Sequence, residues 1–253
     1  MKNKIFLLLS LLFVISCKKH DMTGVLQVNF TFSWSGHNNT AANLNAVLDS
    51  SGAYRFDSIH SGNLVNLSDI QYFVSEISLF SREKNNLIFI TDESAAHYID
   101  LAVPATLSWT SPRSIPAGVY DSIIFYFGLL PADNKNRRFV NQPESDMFWP
   151  SEMGGGYHFM KINGRWKNSG DTSFITFGLH VGGGNANAVR LSFPQRIFMT
   201  EDGTVEKSFD MALDKWFNSA PLWDFSIYGE AIMQNAVAQR VLMDRAGQVF
   251  SVK

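Results

Sequence analysis

Two of the six histidines in this sequence sit where side chains can converge. His158 lies in Gly156-Tyr157-His158-Phe159-Met160-Lys161, and His180 in Phe177-Gly178-Leu179-His180-Val181-Gly182. Both stretches read as strands flanked by glycine. If they form a hairpin turning near Asn168-Ser169-Gly170, residues whose numbers sum to about 338 pair, and His158 faces His180. Paired residues hold their Cβ atoms about 4.5–5.5 Å apart, close enough for two imidazoles to share one metal ion. A slip of one residue puts the rings on opposite faces, where packing against aromatics and bonding to backbone is their ordinary use. Glycines 154–156 and 182–184 would leave room above the strand ends and an open side to the pair. An imidazole binds metal only when neutral, so affinity is expected to fall as pH drops through about 6.5.

The remaining candidates read as ordinary. His20, His37 and His60 lie in polar, loop-like text, and His97 begins a strand, all four as solvated side chains. Met147, Met153 and Met160 lie near the pair in sequence, with core packing as their expected duty. No G-x-S-x-G elbow, P-loop, strand-linked G-x-G-x-x-G or H-E-x-x-H occurs, and the carboxylates are scattered. Nothing here pairs a nucleophile with a base, so no enzymatic turnover is expected.

Cys17 carries a different chemistry. Lys2 and Lys4 form a positive start, Ile5 to Ile15 an apolar stretch too short to span a bilayer, and Val14-Ile15-Ser16-Cys17 matches a bacterial lipobox. The sequence therefore predicts a signal peptide over 1–16, a lipidated Cys17, a tether over 17–26 and a single domain over 27–253. Cys17 is the only cysteine, which leaves no disulfide and no thiolate metal cluster. The expected address is the bacterial cell envelope, anchored to a membrane (the outer membrane being the better choice) and facing the periplasm or the surface. The formal charge is −2, and loss of Lys2 and Lys4 leaves 19 basic against 23 acidic side chains. Without a basic run beyond Lys135-Asn136-Arg137-Arg138, nucleic acid is not an expected partner.

The elements that must position the histidines are mostly strands. Period-two alternation marks Val25–Trp34, Leu67–Phe80, Asn86–Thr91, His97–Leu101 and Gly118–Gly128, then Tyr157–Ile162, Thr172–Val181, Ala188–Phe193 and Phe209–Leu213. About nine such runs, separated by Gly, Pro, Ser and Asn, predict an all-β fold: an antiparallel two-sheet β-sandwich with a short C-terminal helix. Asp121 to Phe127 is almost wholly apolar and is expected at the centre of a sheet. The helix is expected over Glu230–Arg245, with a further turn near Asp214–Asn218. With 45% hydrophobic residues and 21 phenylalanines, the chain can fill one large aromatic core.

Four segments in order resemble the MbnP-like family, named for a methanobactin-associated copper protein. They are Leu67-Ser68-Asp69-Ile70-Gln71-Tyr72-Phe73-Val74-Ser75-Glu76-Ile77-Ser78-Leu79, then Ile115-Pro116-Ala117-Gly118-Val119-Tyr120 with Ile124-Phe125-Tyr126-Phe127-Gly128. Next come Asp146-Met147-Phe148-Trp149 with Gly156 to Lys161 and Gly164, and last Phe177-Gly178-Leu179-His180-Val181-Gly182. The resemblance implies an exported all-β domain and, as in the best-known members, copper held by histidines and an oxidised tryptophan. His180 falls on the family's histidine-glycine strand. Trp149 falls on its Phe-Trp motif, where packing is its expected role. This chain departs from the pattern: Pro150-Ser151-Glu152 follows Trp149 where a second tryptophan is expected, Gly178 is an extra residue, and no W-x-H tripeptide occurs. The expected function is a lipid-anchored copper protein using His180 and His158, with a copper-handling or redox protein as its partner. The alternative is a binding or scaffold lipoprotein that has lost the metal.

Overall fold

The computed structural model describes residues 22–34, 57–91 and 96–253. The signal peptide, Cys17, His20 and His37 lie outside the described residues. In chain order the strands are β1 (Thr23–Ser33), β2 (Asp57–Ser58), β3 (Asn63–Ser81), β4 (Asn86–Phe89), β5 (Ala96–Asp100), β6 (Ser108–Thr110) and β7 (Ile115–Pro116). They continue as β8 (Gly118–Phe127), β9 (His158–Asn168), β10 (Ile175–Gly182), β11 (Val189–Met199), β12 (Thr204–Ala212) and β13 (Phe250–Val252). The helices are α1 (Lys215–Asn218), α2 (Phe225–Tyr228) and α3 (Ala236–Val249).

The strands form two sheets. The smaller runs β13-β12-β1-β6 with β7 beside β1, and the larger runs β10-β9-β3-β8-β11 with β2, β4 and β5 also on β3. All nine alternating runs are strands. β1 shows why: Leu26, Val28, Phe30 and Phe32 point into the core, while Gln27, Asn29 and Thr31 alternate outward. β1 also starts at Thr23, so the last residues assigned to the tether belong to the sheet. Among the described strands, every pairing is antiparallel but one. β1 runs parallel to β12, from Val25↔Thr204 to Ser33↔Ala212, because these strands come from opposite ends of the domain and need no tight turn.

Aromatic rings lock the sheets face to face. Phe125 of β8 stacks on Phe209 of β12 with centroids 4.7 Å apart, and meets Phe250 of β13 edge-on at 5.5 Å. Tyr72 of β3 packs against Phe32 and Phe250 from the other sheet. β8 lies between β3 and β11 with Ile123, Phe125 and Phe127 fully buried, as its apolar run required. Outside the large sheet, the segment 129–157 lies over β3: Phe139 stacks on Phe73 at 5.3 Å.

The C-terminal helix forms later than its apolar periodicity suggests. Asn235 caps it, its side chain accepting from Ala238 N. Residues 230 and 231 are used otherwise: Gly178 N donates to Glu230 O at 2.7 Å, and Ala231 bridges Gly178, covering the edge of β10. Arg245 of α3 is buried, donates to the carbonyls of Trp216 and Pro221, and so ties α1 and its following loop to the helix.

Truncating the ring that joins the sheets should be costly. Phe125→Ala is expected to lower unfolding free energy by about 3–5 kcal/mol in denaturant titration, whereas Val237→Ala, on the exposed side of α3, should change it by less than about 0.5 kcal/mol.

Candidate metal centre

The two histidines do meet, but by a different route from the one the sequence suggests. β9 ends at Asn168 and β10 begins only at Ile175, so the connection is longer than a tight turn and the register moves. Ile175 pairs with Trp166 and His180 with Lys161, not with His158. On that ladder alone His158 would point away, because 158 and 161 have opposite parity. A bulge corrects it. Val181 pairs with Met160 and Gly182 with His158, leaving Phe159 as an extra residue on β9. His158 thereby joins the face of Lys161 and His180. The rings stand 5.1 Å apart, centroid to centroid, at 87° to one another.

Each imidazole has one nitrogen tied down. His158 is buried, and its Nδ1 lies 3.0 Å from Met147 O. A carbonyl only accepts, so Nδ1 carries the proton, and the Nε2 lone pair is buried with no hydrogen-bond partner. His180 Nε2 lies 2.8 Å from Asn163 Oδ1, so with that oxygen accepting, Nδ1 of His180 keeps its lone pair. Gly178, the extra residue, makes this bond possible: a Cβ there would come within 3.1 Å of His180 Nε2 and 3.3 Å of Asn163 Oδ1. Trp149 is fully buried and packs on His158 with centroids 4.7 Å apart, its Nε1 donating to Met153 O.

The glycine loops serve packing instead of opening the site. A Cβ on Gly183 would sit 2.6 Å from Trp149 Nε1, and its φ is +60°, so the indole occupies the space expected to admit a ligand. Gly156 N and Tyr157 N are bonded by Asn136 Oδ1 and Asn134 Oδ1 from the covering segment.

The electrostatics keep both rings neutral. Burial, partly offset by the Met147 bond and reinforced by the Lys161 and His180 charges, pushes His158 down to about 3. Burial, then Lys161, pushes His180 down to about 4. Lys161 itself is lowered by burial, and its Nζ donates to Asp146 O at 2.6 Å. The expected change near pH 6.5 therefore moves to about pH 4. Sequence reading missed Lys161 and Asn163, although their spacing of two on β9 marks them as sharing a face.

The other described histidines, His60 and His97, stay apart from this centre. His60 is exposed, its backbone N donating to Asn218 Oδ1. His97 is not a solvated side chain as expected: it stacks on Phe30 at 5.3 Å between the sheets, its Nε2 bonded to Thr106 O, and burial lowers its pKa. Met147 and Met160 are fully buried. Among the described residues no three His, Cys, Asp or Glu side chains are placed to hold a metal ion.

What the centre offers is two neutral imidazoles, that of His158 buried and that of His180 half-buried. Two imidazoles bound to one ion through nitrogens about 2 Å from it would have centroids roughly 4.5–6.3 Å apart, and the observed spacing lies within that range. An orphaned, buried Nε2 lone pair costs about 1–3 kcal/mol while unpaired, which a bound cation would offset. Two neutral imidazoles at this spacing would suit one borderline metal ion, such as copper or zinc.

Fold and centre together define a β-sandwich with a buried two-histidine pair. The MbnP family model matches residues 23–234, and the chain belongs to that family. Among solved structures, MbnP from Methylosinus trichosporium is similar at 13% identity and a TM-score of 0.46, covering 90% of this chain and 97% of that one. No curated protein sequence matches.

The buried rings make a pH prediction. Histidine NMR titration should find His158 and His180 neutral at pH 5. Between about pH 6.5 and 4 the unfolded chain binds more protons than the folded one, so stability should fall as pH falls through that window, by up to about 1.4 kcal/mol per unit for each ring. His158→Gln should flatten the dependence measured by denaturant titration.

Proposed function

We propose that this protein is a lipid-anchored protein of the bacterial envelope that holds one copper(I) ion between His158 and His180 and catalyses nothing. The observation that carries this reading is the buried, unpartnered Nε2 of His158 beside a second neutral imidazole. Copper suits imidazole donors. The cation of Lys161, cross-strand from His180, repels a divalent ion about twice as strongly as a monovalent one. Asp146 and Asp100 offset that charge in part, and what remains favours the lower oxidation state. A copper-handling or redox protein is the fitting partner. Membership of the MbnP family supports export from the cytoplasm, and no helix among the described residues is long and apolar enough to cross a membrane.

Anaerobic competition titration against a copper(I) chelator tests the centre. The parent should bind about one equivalent, with similar affinity at pH 7 and 5. His180→Ala and His158→Ala should each weaken binding at least about tenfold, and His60→Ala should leave it unchanged. If the parent binds no copper, the charge of Lys161 and the lack of a third ligand favour the second reading, a scaffold lipoprotein in which the pair is structural. The anchor is tested separately: Cys17→Ala should leave the signal peptide uncleaved and remove acyl label, and equal labelling of variant and parent would overturn it.

A further inference from the structure

One end of the sandwich gathers exposed apolar and cationic groups where the chain enters the fold. Met22 is 55% exposed, and Ala117 N donates to its carbonyl; Asp202 N donates to Thr23 O beside it. Phe198, 60% exposed, pairs with Val119 at the start of β8 and the end of β11. The Arg196 guanidinium lies 5.3 Å from the centre of the Phe198 ring. Arg196, Arg82, Val119, Asp121 and Glu83 line one shallow groove. Lys84 Nζ reaches the same end, 3.4 Å from where a Cβ on Gly118 would stand.

We propose that this end rests on the phospholipid surface, with Phe198 and Met22 at headgroup depth and Arg196, Arg82 and Lys84 meeting lipid phosphates. This rests on the lipid anchor of the preceding reading. Four residues separate Cys17 from Met22, which makes five Cα-to-Cα steps, and an extended chain spans at most about 3.5 Å per step. Met22 therefore stays within roughly 20 Å of the lipidated residue, and β1 carries that constraint to its neighbours. An exposed aromatic ring under a guanidinium is suited to the interface, where the ring reaches the acyl boundary and the cation the phosphates. Glu83 and Asp121 in the groove, with Glu201 and Asp202 in the adjoining turn, offset the cations. The surface thus fits zwitterionic headgroups and does not depend on a strongly anionic membrane.

The single native cysteine makes a clean test, because lipidation consumes its thiol. Full chains processed in bacteria and carrying Glu201→Cys or Ser169→Cys, both at exposed positions, are labelled with a fluorophore. They are then reconstituted into vesicles of phosphatidylethanolamine and phosphatidylglycerol. Quenching by headgroup spin-labelled lipid should be strong at 201 and weak at 169, which lies at the far end of β3. Phe198→Ser combined with Arg196→Glu should cut quenching at 201 about twofold or more, with the floated fraction and unfolding midpoint unchanged. Failure to float or to take acyl label overturns the anchor and this inference together. Flotation with equal quenching at both positions overturns this inference alone. So does energy transfer between labelled copies at 201 without lipid quenching, which would assign the end to a second chain.

Discussion

The large sheet is built on one strand that must satisfy its neighbours on both edges. β3 pairs with β2, β5 and β4 along one edge and with β9 and β8 along the other. Val74 pairs with both His97 and Phe127, and Tyr72 with both Ile99 and Met160, so β9 and β8 lie end to end on the same edge. A strand this long cannot stay flat against a twisted partner sheet. It shifts register between Leu67 and Asp69 and again between Ser75 and Ser78, where Glu76 takes a φ of +47°. The histidine pair sits at the seam left between the end of β8 and the start of β9. There the ladder of β3 passes from one partner to the next, and β9 can carry an extra residue without breaking a continuous pairing.

That position explains the chemistry of the pair. The outer face of the sheet at the seam is roofed by the segment 129–157, which supplies the Met147 carbonyl, the Trp149 ring and the Asp146 carbonyl that receives Lys161. At His158 water is replaced by groups that satisfy Nδ1 and leave Nε2 bare. Desolvation then holds both imidazoles neutral, and Lys161 adds to it. A pocket assembled this way keeps two donors ready without charging either. It also carries the cost of an unpaired lone pair, which a solvated histidine avoids.

Much of the fold was legible because alternation is a local signal. Each of the nine long strands has its own apolar face, and β8 announced its central place by having two. The short strands β2, β6, β7 and β13 carry too few residues to show a period and are strands only because a neighbour offers its edge. The start of α3 was hidden because Ile232 and Met233 extend the apolar stripe, while the Asn235 cap and the use of Glu230 by Gly178 override it. The site was legible as a pair and illegible as a geometry. Register depends on a six-residue connection and a bulge, neither of which leaves a periodic trace, and the roof over the rings comes from chain with no pattern at all.

Phe159 marks a point at which this strand can change length. Strand faces alternate with every residue, and the bulge absorbs this one so that His158 keeps the face of His180. Losing one codon at this position would leave His158 two places before Lys161 on an ordinary ladder, still on the face of His180. A chain one residue shorter and a chain with the bulge would therefore present the same two rings to one another. Sequence spacing between strand histidines thus says whether they face one another only once the bulge between them has been placed.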